Sequence, residues 1–280
     1  MGQYLGTAID SLLKQTWTNI EIIVVDDGST DNTKEMMAVY SDNIKVNYIQ
    51  TENRGQPKAK NRGLQEAKGD FIGFCDADDF WAVDKLEKQM PYFSDEKVGI
   101  VYSEVSYVDE NDNPYDKEAP YERHVGQVTE QLLLKNFVPF GTSVIRKKCV
   151  EQDGPFDEQF SMGIDWDLWL RYSLNWHFSY CPEKTYIYRE WSGQMSKNYK
   201  GRYDFAFKIL EHFLGKHGDK ISSKAVKLAW SDMFISRGAV YAKAEGTFIS
   251  PLKDILKGLS MNLFDYNGWV ALVRLLLRRP

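Results

Sequence analysis

The sequence predicts an α/β fold: a mostly parallel central sheet with helices on its faces, followed by a helical C-terminal extension. Three observations predict it. From the start of the chain to about Val108, β-branched runs alternate with stretches of helical period, as in a sheet whose strands are joined by crossover helices. Two of those runs end directly in acidic clusters, Asp26-Asp27 and Asp76-Ala77-Asp78-Asp79, and ligands of such sheets bind at the carboxyl ends of the strands. From about Gly201 the pattern becomes a succession of helices, which divides the chain into 1–200 and 201–280.

Leu5, Ile9, Leu12 and Leu13 fall on one face of a first helix that ends near Gln15-Thr16. The run Ile20 to Val25 reads as a buried strand stopped by Asp26-Asp27-Gly28. Ser29 or Asp31 can cap the next helix, which carries Met36, Met37 and Tyr40. Ile44 to Ile49 is a second strand, Pro57 to Lys68 a helix, Phe71 to Cys75 a third strand, and another helix begins near Asp84. Asp109 to Pro114 is a polar, turn-rich segment, expected as a hairpin or an excursion. Thr129 to Lys135 reads as helix, Ser143-Val144-Ile145 as extended and Asp165 to Trp176 as helix. The extension reads as helices over Phe205–Leu214, Ser223–Ala244, Pro251–Leu259 and Gly268–Leu277.

Composition narrows the function. A net charge of −5 gives no electrostatic reason to expect nucleic acid as a partner. Cys75, Cys149 and Cys181 have no ligand-like spacing and read as free thiols of a reducing compartment. No apolar run is long enough to span a bilayer, and the first residues lack the pattern of a secretory signal. A cytoplasmic protein is expected.

Three constellations could carry chemistry. Carboxylates at Asp26 and Asp27 border the ligand crevice and can accept hydrogen bonds from a base or a ribose; a plain turn with a helix cap explains the same residues. Asp76, Asp78 and Asp79 lie within four positions after an apolar strand and repel one another unless a cation compensates them. Hard oxygen ligands favour Mg²⁺ or Mn²⁺ over zinc, and a site with few carboxylates leaves coordination positions for substrate phosphates. A solvated acidic loop is the alternative. Asp165 lies at the start of a helix, as a general base facing an acceptor hydroxyl or simply as a cap. Trp166 and Trp169 could form an apolar wall or a platform for a sugar ring.

Taken together, these segments resemble family 2 glycosyltransferases. Val25-Asp26-Asp27-Gly28-Ser29-Thr30-Asp31, Asn53-Arg54-Gly55 and Ala59-Lys60-Asn61 resemble the nucleotide-binding half of that family. Gly69-Asp70-Phe71-Ile72 and Asp76-Ala77-Asp78-Asp79 follow in the same order and spacing. Gly154-Pro155-Phe156-Asp157 and Ile164 to Arg171 resemble its acceptor side, so the likeness covers about residues 4 to 197. It implies a GT-A fold (Rossmann-like), with 1–200 as the nucleotide-sugar-binding and catalytic domain. It also implies inverting transfer from a nucleotide sugar, usually a UDP-sugar, to a glycan or lipid-linked acceptor in bacterial surface polysaccharide synthesis. By that resemblance Asp27 contacts the base with Asp26 beside it, and Lys60 serves the donor phosphates. Asp76 and Asp78 form the Asp-x-Asp motif that meets ribose, diphosphate and a Mn²⁺ or Mg²⁺ ion, and Asp165 is the base.

The chain departs from the family pattern at four places. Relatives begin with a strand just before the segment matching Tyr4-Leu5, whereas three residues precede Tyr4 here. The first strand and its nucleotide contacts are therefore expected to be missing, with truncation the favoured explanation. Lys60 stands where Arg is common, keeping charge but losing bidentate geometry. Ile164 replaces a frequent Glu, and Trp191 occupies a position where His is frequent, so a metal contact from there is expected to be lost.

The end of the chain, Gly268 to Arg279, is apolar with terminal basic residues. It is expected either to dock on the catalytic domain or to rest peripherally on the inner membrane face. Two other functions compete: a non-catalytic nucleotide- or sugar-binding remnant, and a metal-dependent phosphotransfer protein. The second leaves Asp165 and its surroundings unexplained.

Overall fold

The structure is a computed structural model that describes residues 2–117, 122–194 and 198–277. The chain divides into two compact units: Met1–Val128 with Phe137–Asn198, and Thr129–Asn136 with Tyr199–Pro280.

The first unit begins with helix α1 (Gly2–Leu13), which buries Leu5 and Ile9 against Met37 of α2 (Thr33–Met37). Between them β1 (Ile22–Asp27) runs parallel to β2 (Val46–Thr51), in register from Ile22 opposite Val46 to Asp27 opposite Thr51. These two strands form a sheet of their own. Among the described residues no strand pairs with the other edge of β1. Helix α3 (Gln56–Glu66) starts with Pro57 in its first turn, where a missing N–H costs nothing, and packs on β1.

The second sheet has the order β3-β7-β5-β8-β4. Its members are β3 (Phe71–Gly73), β4 (Phe80–Trp81), β5 (Val98–Val108), β7 (Val144–Arg146) and β8 (His177–Arg189), and β6 (Pro114–Tyr115) pairs with β5. The long β5·β8 pairing is parallel, and the short pairings are antiparallel. Asp109 to Asn113 form the turn of the β5–β6 hairpin, with Asp112 at φ 66° and Pro114 already paired with Val108. Helices α4 (Lys85–Gln89), α6 (Lys147–Asp153) and α7 (Ile164–Tyr172) complete this unit.

Strands β5 and β8 carry no clear sequence signal. Ile100, Val101, Tyr102 and Ser103 are all fully buried, so the alternation of a half-buried strand is absent. In β8 the polar stretch Pro182-Glu183-Lys184 is a bulge, and the register jumps from Ser103–Cys181 to Glu104–Lys184 across it. That irregular strand delivers its C-terminal end to the acidic loop between β3 and β4.

In the second unit α5 (Thr129–Leu134) packs on α9 (Ser223–Glu245). Helices α8 (Tyr199–His217), α10 (Ile249–Met261) and α11 (Tyr266–Leu276) complete it. Ser222 caps α9 and Asp265 caps α11 through side-chain acceptors. Arg237 of α9 forms a two-pronged pair with Asp254 of α10, at 2.7 and 2.8 Å. Ile255, Leu259, Leu272 and Leu275 form the core that seats α11 on its neighbours.

Candidate active site

Asp26 and Asp27 end β1, and their four carboxylate oxygens all accept bonds from protein donors. Asp26 is buried; it accepts from the Ser29 N–H at 2.8 Å and the Tyr48 hydroxyl at 2.6 Å. Burial pushes its carboxyl up, but the hydrogen bonds from Ser29 and Tyr48 outweigh that and hold it below the ordinary range. Asp27 accepts from the N–H groups of Arg54 and Gly55, both at 2.8 Å, and so shapes the loop after β2. That loop lies so close to Gly28 (φ 74°) that a Cβ there would stand 2.6 Å from the Asn53 nitrogen. The Asp-Gly pair is thus a turn requirement as well as a ligand candidate.

Lys60 projects from α3 and joins the two acidic regions. Its Nζ lies 2.8 Å from Asp76 Oδ1 and 4.3 Å from the centroid of the Phe140 ring. Helix α3 rests on β1, where Gly63 faces Val25, so the helix links one strand end to the other acidic loop. Asn61 beside it is buried and bonds the backbone N–H and C=O of Phe156, tying α3 to the segment that precedes α7.

The acidic loop divides by role. Asp79 is buried, with its oxygens taken by the Tyr186 hydroxyl and the Arg189 N–H, both at 2.7 Å. Burial raises its carboxyl to about 8, helped by the charges of Asp76 and Asp78 and opposed by the two donors. Asp78 accepts from the Trp191 indole N–H at 2.8 Å, and its carbonyl accepts from Arg189 Nε at 2.9 Å. Burial raises the Asp78 carboxyl; the Trp191 bond opposes this, and the charge of Asp76 adds to it.

Arg189 is the residue sequence reasoning missed. It is buried, pairs with Asp112 at 2.6 Å, and lies over the Tyr4 ring at 4.3 Å. It therefore fixes the acidic loop to the β5–β6 turn and to α1. A lone Arg at the end of a strand that the pattern hides offered no signal. Trp191 was legible as a departure, and the structure gives it a positive role as the donor to Asp78. Arg278 and Arg279, the basic end of the chain, lie outside the described residues.

Asp165 stands half-buried in the first turn of α7, after Gly163 at φ 70°. Trp166 beside it is largely buried. Trp169 corrects an expectation: it is wholly buried against Phe140, Tyr172 and Phe178, so no sugar ring can stack on it. Its contribution is to seat α7 on Phe140, the ring beneath Lys60. A chain of contacts thus runs from α7 through Phe140 and Lys60 to Asp76.

This arrangement places acidic strand ends, a lysine and a helix-borne carboxylate on one α/β unit, and comparison with known proteins decides its class. A family model described as Glycosyl transferase family 2 matches residues 2–153, more than half of the chain. The chain belongs to glycosyl transferase family 2. The chain is 30% identical over 174 residues to an uncharacterized glycosyltransferase of Nostoc sp., covering 60% of the chain and 52% of the relative. It is 33% identical over 174 residues to one of Rickettsia typhi, covering 60% and 54%. A third relative is TuaG of Bacillus subtilis, whose name places it in teichuronic acid biosynthesis. It is 34% identical over 117 residues, covering 41% of the chain and 46% of TuaG. The chain spans about half the length of these curated relatives.

The chain also shares its fold with solved structures. S. aureus TarS 1-349 in complex with UDP-GlcNAc matches with a TM-score of 0.62 at 18% identity, over 99% of this chain and 89% of that one. The mannosyltransferase PcManGT of Pyrobaculum calidifontis, in complex with GDP-Man and Mn²⁺, matches with a TM-score of 0.59 at 16% identity, over 100% and 85%. Among the described residues no helix is long and apolar enough to cross a membrane.

Proposed function

We propose that this glycosyltransferase moves a sugar, with inversion, from a nucleotide sugar of the UDP type to a hydroxyl of a glycan or lipid-linked acceptor. The observation that carries the reading is the loop from Asp76 to Asp79, held by Arg189 and Trp191 with Lys60 against its first carboxylate. The nucleotide sugars bound in these two structural neighbours support a donor of this class, and the name of TuaG supports a surface polysaccharide as product.

The residues present fit a divalent cation. Among the described residues no three His, Cys, Asp or Glu side chains form a metal cluster, so the protein alone does not fill a coordination sphere. Asp76 and Asp78 each have one oxygen engaged by a side-chain donor; burial, and after it the charge of Asp76, raises the Asp78 carboxyl, and a bound cation opposes that rise. Two hard carboxylates with open positions suit Mn²⁺ or Mg²⁺ shared with phosphate oxygens. Such an ion, when bound, supplies positive charge to the departing nucleoside diphosphate.

The chain's own groups do the rest. Lys60, released from or shared with Asp76, adds a positive charge at the donor phosphates. Asp26 and Asp27 hold the loop that lines the nucleotide side. Asp165 takes the proton from the acceptor hydroxyl as its oxygen bonds to the anomeric carbon. The bond from that carbon to the phosphate oxygen breaks, and the electron pair leaves with the diphosphate. One displacement with one base inverts the anomeric centre and needs no protein nucleophile.

Calorimetric titration with UDP, GDP and dTDP, each with and without Mn²⁺, tests the donor site. Metal-dependent binding of one nucleotide is expected, lost in Asp78→Ala. Asp165→Asn is expected to keep that binding and lower turnover roughly 10²- to 10⁴-fold. Near-normal turnover in Asp165→Asn would remove it as the base, and nucleotide binding without any transfer or donor hydrolysis would favour a binding remnant.

A further inference from the structure

The C-terminal helix has two apolar faces, and only one is used. On α11, Gly268, Leu272 and Leu275 are buried against the second unit's core. Tyr266, Trp269, Val273 and Leu276 are 78, 47, 51 and 57% exposed, and Leu277 just beyond is also exposed. At ~100° per residue these five lie within an arc of about 100°, beside the buried face and separate from it. Phe264, in the turn before the helix, is 96% exposed and extends the stripe. Exposed apolar residues occur singly on most surfaces, but six in one stripe ask for a partner.

Charge says which partner. Residues 199–280 carry 14 Lys and Arg against 7 Asp and Glu, a net charge of +7, although the whole chain is at −5. Residues 1–198 therefore stand at −12. Part of that positive charge lies on the helices that carry or adjoin the stripe: Arg274 on α11 and Lys253 and Lys257 on α10 are exposed, and Arg278 and Arg279 follow in the sequence. Trp269 also has the interfacial form, with an apolar ring and its N–H bonded to the Leu263 carbonyl at 2.7 Å. An apolar helix face with cationic neighbours matches the surface of an anionic bilayer, where rings enter the headgroup boundary and basic groups meet lipid phosphates.

We infer that the Phe264–Leu277 stripe is a peripheral docking surface for anionic lipid bilayers. The test is flotation of the full chain with vesicles of phosphatidylcholine alone and of phosphatidylcholine mixed with phosphatidylglycerol, at low and high salt. Binding to the anionic vesicles is expected, weakening with salt. A combined Trp269→Ser, Val273→Ser and Leu276→Ser variant replaces only exposed side chains and is expected to lower partitioning at least about tenfold with an unchanged melting curve. Lys253→Glu with Arg274→Glu should weaken anionic binding and leave the neutral vesicles unaffected. Absence of flotation with anionic vesicles, or equal flotation of wild type and the triple variant, overturns the inference. So does sedimentation showing a dimer that the triple variant converts to monomer, since a second copy would then own the stripe. Nucleotide titrations on the same samples separate this result from the donor-site reading, because none of these residues belongs to that site.

Discussion

Lys85 should make the stability of this protein depend on pH in a way that one substitution removes. Its side chain is fully buried under the acidic loop, with Nζ 2.6 Å from the Thr142 carbonyl, near Gln89 Oε1 and Thr185 Oγ1, and 4.9 Å from the Trp81 ring. Burial lowers its ammonium group from an ordinary 10.5 to about 7. Between those values the unfolded chain holds the proton and the folded chain does not, so unfolding takes up a proton and stability rises with pH. The slope approaches about 1.4 kcal/mol per pH unit, which gives roughly 2 kcal/mol between about pH 7.5 and pH 9. Lys85→Met leaves the Thr142 carbonyl without this donor and should lower stability at every pH, but it removes this slope. Urea unfolding of both proteins across that range reads the difference directly. Wild-type and variant curves that stay parallel in pH would mean that Lys85 keeps its proton when folded, held by its three oxygen acceptors, and would refute the reasoning.

Other outcomes follow from the residues around the acidic loop. Arg189→Met removes a buried bond to the Asp78 carbonyl and a cation over Tyr4, a loss of about 2–4 kcal/mol in urea unfolding. Metal-dependent nucleotide affinity should fall with it, because the loop loses its anchor. Trp191→Phe keeps an aromatic ring near Tyr4 but takes the N–H from Asp78, whose carboxyl should then rise further. Mn²⁺-dependent nucleotide affinity should drop up to about tenfold at mildly acidic pH and recover as pH rises, a trend calorimetry at several pH values can check. A pH-independent loss would mean that Trp191 acts only through packing.

Much of the fold was legible because its signals are local. The run ending at Asp26-Asp27, the Pro57 start of α3 and the apolar period of α10 each announce themselves within a window of a dozen residues. The parts that escaped depend on distant partners. Strand β5 is buried on both faces and β8 is bulged, so neither shows a period of two, and each becomes a strand only because the other pairs with it. The candidate site divides in the same way. Its acids could be read from their clustering, but Arg189 and Tyr186 reach them across more than a hundred residues of chain. Trp169 misled because an aromatic beside an acidic helix start looks the same whether it faces a ligand or the core. Its burial against Phe140 and Phe178 follows from β8, which the pattern did not disclose.

The same hydrogen bonds sort the carboxylates that sequence alone leaves equivalent. Asp26, Asp27 and Asp79 each have both oxygens bonded by protein donors, and their geometry is spent on holding turns and loops in place. Asp76 and Asp78 have a side-chain donor on one oxygen each. A cation approaching the loop therefore meets two carboxylates with acceptor capacity to offer, while Asp79 below them is held near neutrality by burial. Making Asp79 a ligand would require breaking its bonds to Tyr186 and to the backbone of Arg189, at about 1–3 kcal/mol for each donor left unsatisfied. That cost favours the Asp-x-Asp pair over the adjacent Asp-Asp pair as the proposed metal ligands. It also explains why a third acid sits in the loop at all: it ties the loop to β8, and through β8 to the strand pairing that carries the whole sheet.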